Sequence, residues 1–190
     1  TSWGLQVHAE ALVAAVLAGP VQDDRAAGLA VQARIPGLAD ATLSAVSALP
    51  RVRAMQLPGA GLALEHRMEL LDRMVTWQVT VPCEARGRVG AGLLGAKFEL
   101  ELTPRDRAGL LAGVAVAADG LLHQGAVEVY PHVYGAPVAL RTAEDVTAVA
   151  TAAPVPGVLP LFAYSLFGGV QVDERYALPG VKALVVADAT

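Results

Sequence analysis

The 190-residue chain contains no asparagine, a single isoleucine (Ile35), two lysines (Lys97 and Lys182) and one cysteine (Cys83). A lone cysteine excludes an intrachain disulfide framework and a multi-cysteine zinc site, and it leaves the redox compartment open. The shortage of asparagine, isoleucine and lysine reads as the codon bias of a GC-rich, bacterial genome.

Charge is sparse as well. Fourteen Lys and Arg against 18 Asp and Glu give a net charge of -4. The scattered arginines form no basic stripe of the kind that neutralises a phosphate backbone, so nucleic acid is not an expected partner.

Long hydrophobic runs are also missing, although 54% of the residues are apolar and the mean hydropathy is +0.48. The longest run, Gly109 to Ala118, is about half of the roughly 20 residues that cross a bilayer as a helix. Val158 to Val170 is interrupted by Pro160, Tyr164 and Ser165. No membrane span is therefore expected. No basic-apolar-small cleavage pattern opens the sequence, and a cytoplasmic location is the expectation.

What is present is a series of short periodic segments. Leu12, Val13, Val16 and Leu17 have helical spacing before Gly19-Pro20, which predicts a helix over Ala9 to Ala18. Leu29 to Ile35 alternates as a half-buried strand, and a helix is expected from about Leu38 to Ala48. Arg51 to Leu57 reads as a second strand, followed by an amphipathic helix from about Leu62 to Met74. Val75, Trp77, Val79, Val81 and Cys83 then share one face, with Thr76, Gln78, Thr80 and Glu84 on the other, the clearest strand pattern in the chain.

Further strands are expected at Ala96 to Leu102, Leu110 to Ala117, Ala126 to Val133, Gly169 to Val172 and Val181 to Val186. Thr142 with Asp145 three residues on forms a capping box that opens a helix over Ala143 to Ala152, with Pro154 beyond it. The expected fold is α+β: one domain over residues 1–190, its helices mainly in the N-terminal third, packed on a largely antiparallel sheet or sandwich formed by the C-terminal two-thirds.

One segment gathers chemistry. If Ala126 to Val133 is a strand that runs on, Glu128, Tyr130, His132 and Tyr134 fall on one face and Val127, Val129, Pro131 and Val133 on the other. A carboxylate beside a histidine can raise its pKa and orient its ring, and phenols give apolar walls with polar tips. Glu128 and His132 are thus the candidate catalytic pair, with Tyr130 and Tyr134 as candidate ligand contacts. The competing reading of the same pattern is the wet face of an edge strand, since proline is tolerated in strands mainly at edges.

Lys97 lies with Glu99 and Glu101 on one strand face, either as a catalytic lysine tuned by carboxylates or as part of a salt-bridged surface. Lys182 shares a face with Leu184 and Val186, where burial can lower a lysine pKa and make it a nucleophile or ligand contact. It also follows Pro179-Gly180, where its stem can reach water. Pro58-Gly59-Ala60-Gly61 has Leu64 where a dinucleotide loop needs its third glycine, and His8 and His123 have no partner at metal-ligand spacing. No cofactor and no metal are expected.

Two short runs resemble parts of known families. Gly168-Gly169-Val170 through Leu178-Pro179-Gly180-Val181 to Val186-Ala187-Asp188 looks like the C-terminal stretch of FAD-dependent oxidoreductases. Those families need an N-terminal glycine-rich strand-turn-helix, which this sequence lacks, so no flavin site follows. Val127-Glu128-Val129-Tyr130-Pro131-His132 with Ala136-Pro137-Val138 is similar to a late strand of acetoacetate decarboxylases, whose resemblance implies an upstream Schiff-base lysine. Lys97 is the only lysine upstream, and it lies closer than that pattern places it.

High hydropathy without a membrane span points to apolar surface covered by a partner. The leading expectation is a non-catalytic structural or assembly subunit, a homo-oligomer or part of a larger protein assembly, self-associating through an apolar face or sheet edge. The alternative is a small-molecule enzyme or binding protein with an apolar pocket lined by Glu128, Tyr130, His132 and Tyr134.

Overall fold

The computed structural model describes residues 2–21, 28–38, 40–47, 50–93, 95–163, 166–168, 170, 172–181 and 184–186. Its strands are β1 (Ser2–Leu17), β2 (Gly28–Arg34), β3 (Thr42–Ser47), β4 (Met74–Pro82), β5 (Gly87–Gly92), β6 (Gly95–Glu99), β7 (Ala126–Tyr130) and β8 (Leu166–Phe167). The helices are α1 (Pro50–Met55), α2 (Leu62–Met68), α3 (Pro104–His123) and α4 (Ala143–Ala150), with a 3-10 turn at Leu71–Arg73.

All strand pairs are antiparallel, in the order β2-β3-β4-β1-β5-β6, and β7 and β8 also pair with β1. β1 is the spine. It runs against β4 from His8 to Val16, while its other edge meets Phe162 at Glu10 and β7 from Ala14 to Leu17.

The expected arrangement does not hold. Helices are not concentrated in the N-terminal third: the first begins at Pro50, and the sheet begins with β1. The segment read as an opening helix is this central strand. Its odd residues, Val7 to Ala15, pack in the main core, and Ala14 and Val16 pack in a second core on the opposite face. Burial on both faces removes the alternation by which a strand is recognised and leaves a continuous apolar run.

Three further assignments are corrected. The helix expected from Leu38 to Ala48 is strand β3 over its described part, because its backbone is claimed by β2 and β4 on either side. Arg51 to Leu57 is not a strand, since Pro50 begins α1, and proline at a first helical position sacrifices no hydrogen bond. Leu110 to Ala117 is the middle of α3, an apolar run that packs on β4, β1 and β7. The Thr103 side chain accepts the Asp106 N–H at 3.0 Å and the Asp106 carboxylate accepts the Thr103 N–H at 2.9 Å, a capping box with Pro104 inside it.

Other expectations match. β2 covers the predicted strand, and β4 carries Val79 and Val81 on the α3 side with buried Thr76 and Gln78 on the other. The Thr142–Asp145 box opens α4, which packs on α3. The helix predicted from Leu62 stops at Met68, and the strand predicted from Ala96 stops at Glu99. The last two predicted strands fall partly outside the described residues; among the described ones, Ala177 and Val185 form an isolated bridge.

Candidate functional site

β7 ends at Tyr130, not at Val133, because Pro131 has no N–H for the ladder and His132 takes a left-handed conformation (φ 53°). Glu128 and Tyr130 therefore share a strand face, whereas His132 and Tyr134 lie beyond the strand. Tyr130 is fully buried in the second core, with Met74, Leu57 and Val16. Its hydroxyl donates to Glu128 Oε2 at 2.6 Å.

Two arginines close on the same carboxylate. Arg141 donates to Glu128 Oε1, and Arg67 Nε stands 3.9 Å from Oε2. The Arg67 guanidinium also lies 5.5 Å from the centre of the Tyr130 ring and donates to the Pro58 carbonyl at 3.0 Å. α2 supplies Arg67 and the loop before α4 supplies Arg141, so three segments meet at Glu128. His66, Arg67, Val127, Glu128 and Arg141 are among the walls of a groove of about 490 Å³; Tyr130, His132 and Tyr134 do not line it.

The electrostatics follow from this geometry. Burial works against the Glu128 carboxylate, but the Tyr130 hydroxyl and the two guanidinium groups outweigh it and hold its pKa below the ordinary glutamate value. Burial and the bond to Glu128 push the Tyr130 phenol up to about 12. At neutral pH the carboxylate is ionised and the phenol protonated.

His132 belongs to a different environment. Burial lowers its pKa, partly offset by a hydrogen bond to the Gln56 backbone, and its Nε2 has no partner. The Gln56 side chain accepts from Thr76 at 2.7 Å, while its Nε2 and the buried Ser44 hydroxyl are unpaired. Tyr134 is 85% exposed, anchored only by its backbone N–H to the Val158 carbonyl among the described contacts.

Lys97 is not near this cluster. It sits on β6 with its Nζ 2.6 Å from Glu99 Oε1, and β5 joins β1 at Ser2–Leu5 while β7 joins it at Ala14–Leu17. The two regions lie at opposite ends of β1, about 40 Å apart at the usual rise per residue. Lys182 lies outside the described residues. Among the described residues, no three His, Cys, Asp or Glu side chains converge as a metal site, and no helix is long and apolar enough to cross a membrane.

The β5–β6 ribbon carries a second feature, apolar where the candidate cluster is polar. Its register opposes Arg88 to Glu99, Val89 to Phe98, Gly90 to Lys97 and Ala91 to Ala96. One face therefore carries Val89, Ala91, Ala96 and Phe98, and the other Arg88, Lys97 and Glu99. Phe98 is 57% exposed, and Leu93, at the tip between paired Gly92 and Gly95, is fully exposed.

β6 pairs with β5 and with no other strand among the described residues. At the ribbon's base, a Cβ on Gly87 would sit 2.4 Å from the Glu99 carbonyl oxygen, so the chain can cross there only at a glycine. The sequence signal was available in Val89-Gly90-Ala91-Gly92 and Gly95-Ala96-Lys97-Phe98, two short alternating runs around a leucine pair. Compared with protein-family models, with curated proteins and with solved structures, the chain gives no significant match to any of them.

Proposed function

We propose that this chain is a non-catalytic assembly subunit that self-associates through the β5–β6 ribbon. The observation that carries the proposal is the uncovered apolar face of that ribbon, with Phe98 and Leu93 open to solvent. Past Val89, where its pairing with β1 ends, the described ribbon is two-stranded, and a two-stranded ribbon is marginal in water unless its hydrophobic face is covered. Solvent-exposed hairpin tips favour Asn-Gly or Asp-Gly, whereas the sequence between Gly92 and Gly95 is Leu93-Leu94.

Light scattering over a dilution series tests the proposal. The wild-type protein is expected at a multiple of 19.5 kDa. The double substitution Leu93→Ser and Phe98→Ser is expected to give monomers with an unchanged thermal melt of the core. A wild-type monomer at every concentration overturns the proposal.

A further inference from the structure

We infer that two copies join edge to edge through β6, about a twofold axis that passes by Phe98; the inference rests on the assembly reading above. Among the described residues, the outer edge of β6 pairs with no strand and ends the sheet. A strand paired symmetrically with its own copy runs antiparallel, and the contact is isologous: the same patch serves both copies.

The pleat then limits the register. Residues directly opposite share a face, so the axis must pass by a residue and not between two. Centring on Lys97 opposes lysine to lysine, and centring on Glu99 opposes glutamate to glutamate; both are unfavourable. Centring on Ala96 sets Lys97 against Gly95, with no charge pair. Centring on Phe98 sets Phe98 against Phe98 and Lys97 against Glu99, the latter twice by symmetry.

That register is complementary on both faces. On the polar face, Glu99 already pairs with Arg88 across its own ribbon. In the joined sheet it stands between Arg88 of its own chain and Lys97 of the second copy, a row of alternating sign. Arg88 and Lys97 already hold the Glu99 carboxyl at a pKa of about 2 through hydrogen bonds, with Arg88 the stronger cause, so it is ionised wherever the protein is studied near neutral pH.

On the apolar face, Val89 and Phe98 of each copy form one continuous row across four strands. The pairing joins the two sheets edge to edge and gives the part of each ribbon that projects past β1 further strands to pair with, where two strands alone are marginal.

Disulfide trapping in a Cys83→Ser background tests the contact. Opposed Cα atoms in an antiparallel pair are about 4.5 or 5.5 Å apart, within the span of a disulfide. A mixture of Lys97→Cys chains and Glu99→Cys chains, which leaves Phe98 in place, is therefore expected to give a covalent dimer on mild oxidation, and Val31→Cys, on the exposed edge strand at the other end of the sheet, is not.

Lys97→Glu puts a carboxylate opposite Glu99 and is expected to weaken association at least about tenfold. The triple reversal Arg88→Glu, Lys97→Glu and Glu99→Lys keeps the alternation and is expected to restore it. An oligomeric wild type whose Lys97→Cys and Glu99→Cys chains do not cross-link when mixed, or in which Val31→Cys cross-links instead, overturns this inference and leaves the assembly reading standing. A monomeric wild type overturns both.

Discussion

A Cβ placed on Gly113 would lie 2.5 Å from Val79 Cγ1, closer than any side chain tolerates. Gly109 and Gly120 occupy the same stripe of α3 and meet Val81 and Trp77 at 3.3 and 3.1 Å in the same sense. The helix rests on β4 through these bare positions, which lets backbone approach strand side chains directly.

Gly113→Ala is accordingly expected to destabilise the fold by about 1–3 kcal/mol through overpacking, which exceeds the ~1 kcal/mol that alanine gains over glycine in a helix. Urea unfolding measures it. Val79→Ala should rescue the variant in part, because the two substitutions share one contact. Fully additive losses would show that the stripe is not what sets the distance between α3 and the sheet.

His132 yields a pH prediction. Its folded pKa lies below the ordinary value of about 6.5, so protonation favours the unfolded chain. Stability is present in full above that ordinary value and is lost as pH falls through the window beneath it. His132→Asn keeps a residue that accepts the left-handed backbone but does not titrate there. Its unfolding free energy should lose less than the wild type's between pH 7 and pH 5; parallel curves would count against a buried neutral imidazole.

Tyr130 acts in the opposite pH range. Its pKa is raised to about 12, so its contribution is complete below the ordinary tyrosine value of about 10 and is lost as pH rises toward 12. Tyr130→Phe removes one donor from the Glu128 carboxylate and should cost about 1–2 kcal/mol at pH 7. Above pH 10 its stability should fall less steeply than the wild type's. A variant as stable as the wild type at pH 7 would place the anchoring of Glu128 with the arginines alone.

The sequence was readable where the two faces of an element differ in polarity. β4 shows its Val75-to-Val81 alternation because Thr76, Gln78 and Thr80 form a distinct polar row, even though Thr76 and Gln78 are buried, and α4 declares itself through Thr142 and Asp145. It was misread where an element is apolar all round, as in β1 and α3. In α3 the Thr103–Asp106 box is the same signal that identifies α4, but the unbroken apolar run of Leu110 to Ala117 behind it carries a strand-like pattern. At the candidate site, Glu128 and Tyr130 were legible as neighbours because the strand holds that far, and His132 was not, because one left-handed residue ends the alternation. Arg67 and Arg141 come from other segments, and no local pattern connects them to Glu128.

The spine strand has a consequence for how the chain is made. β1 precedes every one of its partners, and the first of them, β4, begins only at Met74. At about 5–20 residues per second, a ribosome leaves this apolar segment waiting roughly 3 to 11 seconds before its first neighbour emerges, and longer before β7 completes the opposite edge. Synthesis thus hands the cell a sticky, unpaired ribbon of chain early and the means to shield it late. Nascent chains stalled before Met74 should be held by chaperones, and those stalled after Tyr130 should begin to resist proteolysis.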